Sequence, residues 1–156
     1  MTWKAMTAER ACDVVDFWAS VEWPQTAEQV QQLGTGVGWT PDDDEMMQNR
    51  TDDLGEPSVA IITLPSGEVA SFSFWVTDVV RESSEGATSF LDDHYALLVR
   101  EGRSRWGGAE LSSGEESSAQ WTLSDGARVV ATRGSQSVFV DFITPQYAAV
   151  LQDLGE

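Results

Sequence analysis

A chain of 156 residues with 26 Asp and Glu against 9 Lys and Arg carries a formal charge of -17, a field that repels nucleic acid phosphates and anionic membrane surfaces and draws cationic partners in. Seven Trp and six Phe exclude an acidic disordered segment, since such segments are poor in aromatics, and the length sets the expectation of one globular domain over 1–156. The apolar runs, Val59 to Leu64 among them, are far shorter than the roughly 20 residues that cross a bilayer, and Met1 to Met6 lacks the apolar core of a secretory signal, so a cytoplasmic protein with no nucleic acid or membrane partner is expected.

From Ala8 to Val21, residues Ala11, Val14, Val15, Trp18 and Val21 recur at helical spacing, which gives a first amphipathic helix with Cys12 on its apolar side. Trp23-Pro24 ends it. Thr26 followed by Gln29 has the spacing of a capping box for a second, shorter helix that stops at Gly34. Residues 40–57 then read as an acidic loop, punctuated by Pro41, Gly55 and Pro57, with Met46 to Arg50 as a short edge strand. Val59 to Leu64 and the alternation of Ala70, Phe72, Phe74 and Val76 with Ser71, Ser73, Trp75 and Thr77 predict a hairpin around Pro65-Ser66-Gly67-Glu68.

Phe90 to Arg103 reads as a third helix, with Asp92-Asp93 favouring its positive N-terminal end. A Gly-, Ser- and Glu-rich stretch at 107–118 is expected to be a flexible linker. Three strands follow, Ala119 to Leu123, Ala127 to Arg133 and Ser137 to Ile143, and Pro145 opens a last helix carrying Tyr147, Val150, Leu151 and Leu154. The order α-α-β-β-β-α-β-β-β-α, with short turns between strands, predicts an α+β fold with antiparallel pairing and helices packed on the sheet.

Catalytic and metal motifs fail on inspection. Counted from Asp42, the acidic loop puts Met46 and Met47 where a calcium loop needs an oxygen ligand and a glycine. Gly34-Thr35-Gly36-Val37-Gly38 lacks the lysine of a phosphate loop, and His94, the sole histidine, has no second histidine or nearby cysteine for a zinc site. No cofactor, metal or catalytic residue is therefore expected. The lone Cys12 reads as a buried thiol. Trp39 and Trp106, beside irregular segments, are the two tryptophans read as anchors for a partner, where tryptophan is enriched.

Trp23-Pro24, Gly38-Trp39-Thr40, Thr51-Asp52-Asp53-Leu54-Gly55, Val76-Thr77-Asp78 and Phe90-Leu91-Asp92-Asp93 together resemble an uncharacterised family of small acidic actinobacterial proteins. The resemblance spans nearly the whole chain and implies no activity. The low isoelectric point and the central helix between strand blocks are also similar, more loosely, to secretion chaperones and to immunity proteins that neutralise secreted toxins.

These features set the expectation of a non-enzymatic protein-binding module, an immunity-type inhibitor that masks the basic site of a toxin or secreted effector, as a monomer or homodimer. Trp39, Asp42, Asp43, Asp44, Glu45, Asp52, Asp53 and Glu56 are the expected binding residues, because a carboxylate-rich surface speeds encounter with a cationic one. A secretion chaperone using Trp75 and the last helix is the alternative. A small hydrolase with paired carboxylates is the third class, and it needs an acid with a shifted pKa in a concave pocket.

Overall fold

A computed structural model describes residues 2–43 and 45–155. Its α+β fold has four α-helices, α1 (Ala8–Ala19), α2 (Ala27–Leu33), α3 (Glu85–Trp106) and α4 (Pro145–Asp153). Eight strands accompany them: β1 (Trp39–Asp42), β2 (Met46–Asn49), β3 (Ser58–Thr63), β4 (Val69–Trp75), β5 (Glu110–Ser112), β6 (Ser117–Thr122), β7 (Arg128–Arg133) and β8 (Val138–Ile143). All eight join in one antiparallel sheet of order β1-β2-β3-β4-β8-β7-β6-β5. Each half of the chain supplies four consecutive strands, and the halves meet where β4 pairs with β8, from Ser71 opposite Ile143 to Trp75 opposite Phe139.

Each helix begins at a hydroxyl cap. Thr7 accepts from the N–H of Arg10, Ser84 from Ala87 and Thr144 from Tyr147. Thr26 and Gln29 complete a reciprocal capping box, and Pro145 stands in the first turn of α4. The third helix is longer than its sequence pattern indicated: it starts at Glu85, so Asp92 and Asp93 lie two turns inside it. There Asp92 accepts a hydrogen bond from Arg133 Nε at 2.9 Å in place of a helix-end role.

Two strands depart from the expected order, and both are outermost. The segment read as an acidic loop folds into the β1-β2 hairpin, in which Trp39 faces Asn49 and Asp42 faces Met46. The segment read as a flexible linker supplies β5, paired with β6 from Glu110 opposite Gln120 to Ser112 opposite Ser118. Pro41 is admitted because β1 is an edge strand, where one side of the backbone needs no partner. β2 is thus an inner strand, covered by β1.

Strand alternation sorts the side chains to two faces. On one, Phe72, Phe74, Val129, Ala131, Val140, Phe142 and Trp121 are buried beneath α1 and α3. Trp18 of α1 meets Phe72 at 4.8 Å between ring centroids, and Phe72 stacks on Phe142 at 5.3 Å. Each such large apolar side chain contributes about 1.5–3 kcal/mol on leaving water. α4 contacts β4, and on the opposite face its Ala148 and Gln152 share a cleft with Glu110, Gln120, Thr122 and Arg128. Towards β3 that face stays open, with Ala60 and Ile62 exposed.

Candidate functional site

The acidic segment divides into an exposed hairpin tip and a set of ion pairs within the chain. Asp52 receives Arg10 Nε at 3.1 and 3.2 Å on its two oxygens and is almost covered, its side chain 12% exposed. Asp53 holds Lys4 Nζ at 2.6 Å, which keeps its carboxyl below the ordinary range and raises the Lys4 ammonium. Glu56 lies 3.7 Å from Arg81. These three tie the chain after β2 to the N-terminal strap, to α1 and to the segment before α3, so their charges are already answered.

Asp42, Asp43 and Glu45 stand at the tip of the β1-β2 hairpin, all exposed. The backbone N–H of Asp43 and then Gln48, whose Nε2 lies 2.6 Å away, hold the Asp42 carboxyl below its ordinary range. Among the described residues none of the three is ion-paired, and Glu45 takes the turn at φ 60°. Asp44 lies outside the described residues. Lys4, Arg10, Arg81, Arg105 and Arg133 are each committed to a carboxylate of the chain, which leaves the excess negative charge to be felt from outside.

Trp39 is not at this surface. It is 1% exposed, packed on Trp18 at 5.8 Å and on Phe74 at 5.5 Å between centroids, because β1 carries it to the helix side of the sheet while Asp42 points to the other. Trp106 is also held internally: its Nε1 donates to Asp16 at 2.8 Å and its ring meets Trp121 edge-on. Cys12 is buried, and burial pushes its thiol up to about 12, far from a nucleophilic thiolate. His94 packs edge-on against Phe90 at 4.6 Å, and burial lowers its pKa. Among the described residues no group of three or more His, Cys, Asp or Glu is placed to hold a metal.

The open face carries a second feature, of which the sequence reading named only Trp75. Trp75 stands opposite Phe139 and Ser73 opposite Asp141, a two-by-two block across the β4–β8 junction. Trp75 and Phe139 are edge-to-face at 5.9 Å. With Ser58, Ala60, Ser73 and Phe74 they line a notch of about 230 Å³. The Ser73 hydroxyl donates to Asp141 Oδ1, yet burial outweighs that bond and raises the Asp141 carboxyl above its ordinary range. A pair of catalytic acids stands about 5–10 Å apart, and the residues lining this notch include no carboxylate, Asp141 reaching it only through Ser73. In the sequence the signal was an acid at position 141 within Val138 to Ile143, a run apolar on both faces.

Asp42 and Asp141 point to the same open face, with β2, β3 and β4 between their strands. At sheet spacing that is about 19 Å, within the roughly 30 Å width of a standard protein interface of about 800 Å² per partner. No curated protein and no solved structure matches the chain. A family model matches residues 9–144, and the chain belongs to that family of unknown function, DUF6301.

Proposed function

We propose that this protein is a non-enzymatic binding module that docks a basic protein on the open face of its sheet, and that it acts as an immunity-type inhibitor by covering the cationic site of a toxin or effector. The observation that carries the reading is the unneutralised hairpin tip. Asp42, Asp43 and Glu45 project at the rim of the open face with no ion pair among the described residues, Asp42 feeling only the more distant charge of Arg50, whereas the neighbouring Asp52, Asp53 and Glu56 are all paired. Carboxylates left free beside others that are matched raise the encounter rate with a positive surface.

The test is capture of partners from a lysate of the native host at low salt, followed by kinetics on the protein retained. A basic protein released by a salt wash, whose association slows about tenfold when Asp42, Asp43 and Glu45 are all changed to Lys, supports the reading. Unchanged association with that variant sinks it. The apolar stretch of Ala60, Ile62 and Trp75 on the same face favours a second reading, the secretion chaperone. That one expects a partly unfolded exported client held through the high-salt wash.

A further inference from the structure

Among the carboxylates drawn into the protein, Asp52 has Arg10 and Glu101 has Arg105 as counter-ion. Asp141 has none among the described residues: Ser73 serves Oδ1, and no described residue donates to Oδ2. Charge withdrawn from water is ordinarily paired, so a carboxylate left half-solvated on a surface of aromatic and aliphatic side chains is an unfinished ion pair. The edge-to-face rings of Trp75 and Phe139 stand directly beside it, and an indole face is the best aromatic acceptor of a cation.

We propose that Trp75, Phe139, Ser73 and Asp141 form a subsite for one arginine side chain of the basic partner, a proposal that rests on the docking reading above. The notch is lined by Ser73, Trp75 and Phe139, with Asp141 joined to it through its bond to Ser73; at about 230 Å³ it is below the roughly 300–1,000 Å³ of a small-molecule pocket and matches a single side chain. Arginine is favoured over lysine because a planar guanidinium stacks on an indole while its edge donates to a carboxylate, whereas an ammonium keeps its hydration more tightly. Ser73 contributes by fixing the carboxylate plane, which leaves Oδ2 to receive the incoming N–H. The negative tip at Asp42, Asp43 and Glu45 brings the partner in, and the notch reads one residue of it.

The probe is N-acetyl-arginine amide, titrated into the ¹⁵N-labelled full chain, with N-acetyl-lysine amide and the neutral N-acetyl-citrulline amide beside it. Saturable shifts are expected at the Trp75 indole N–H and at the Ser73, Phe139 and Asp141 amides, about fivefold weaker for the lysine probe and lost with citrulline. Asp141→Asn, which keeps the side-chain volume and leaves the spectrum dispersed, is expected to weaken the arginine probe about tenfold. Asp43→Asn with Glu45→Gln is expected to leave its site-specific shifts in place. Shifts spread over the acidic surface without saturation, or unchanged in Asp141→Asn, overturn the subsite. If no basic partner is captured while the arginine probe saturates at Asp141, the docking reading falls and the subsite stands. If a captured partner is slowed by charge reversal at the tip but binds Asp141→Asn unchanged, the subsite falls and the docking reading stands.

Discussion

Gly102 lies inside α3, one turn before its C-terminal end, where alanine is ordinarily the better helix former by about 1 kcal/mol. A Cβ there would come within 2.6 Å of the Trp121 ring and 3.1 Å of Trp106, two large side chains locked edge-to-face in the helix-to-sheet contact. Gly102→Ala is therefore expected to destabilise the protein by about 1–3 kcal/mol in urea unfolding, against its helix propensity. A neutral or stabilising result would mean that Trp121 can shift. Asp141 shows a cost of another kind. Burial raises its pKa in the folded state, so the folded state holds its proton over a window where the unfolded chain has lost it, and stability falls as pH rises through that window. Asp141→Asn is then expected to melt above the wild type near pH 7, with the difference narrowing as the pH is taken below the ordinary carboxylate range. A difference independent of pH would show that Asp141 makes no such contribution.

At the scale of elements, what the sequence made legible and what it hid separate along a physical line. Caps and turns are local, so Thr26 with Gln29, Gly34 and Pro145 marked their helix ends correctly, and the strands β3, β4, β7 and β8 were readable from the period-two alternation of β4 and the short apolar, β-branched runs of the other three. β1 and β5 were not, since Pro41, Asp42, Glu110 and Ser112 have no strand preference, and only the neighbouring strands β2 and β6 hold them extended. The same line runs through the candidate site. Composition located the acidic segment, but that Asp52 is matched by Arg10, 42 residues away, and Trp39 buried against Phe74 is a consequence of tertiary folding. The Asp52–Arg10 pair joins the chain after β2 to α1, and Arg10 also donates to the Val37 carbonyl. Asp52→Ala leaves that guanidinium half-buried without its counter-ion and is expected to cost about 1–3 kcal/mol, whereas Asp43→Ala at the exposed tip is expected to change stability by less than about 0.5 kcal/mol. Equal losses in chemical denaturation would contradict the division into clamp and free surface.

For the whole molecule, a charge of -17 acts against compaction as well as for encounter. Mutual repulsion of the unpaired carboxylates is screened by salt, so the melting temperature is expected to rise by several degrees from about 10 mM to 0.5 M NaCl, while association with a cationic partner slows over the same range. A melting temperature that falls with salt would assign more weight to the ion pairs than to the repulsion. The strand order has a consequence for how the polypeptide can be divided. Residues before Gly107 supply β1 to β4 and those after Gly108 supply β5 to β8, each a run of neighbours in the sheet, and the two glycines between them are exposed, although the Gly107 carbonyl accepts from Trp121 Nε1. The backbone could be severed there without cutting a strand, leaving two pieces whose inner margins, β4 and β8, are complementary over five residue pairs. Such fragments are expected to find one another and rebuild the sheet when mixed, so that the protein would serve as its own split reporter of assembly.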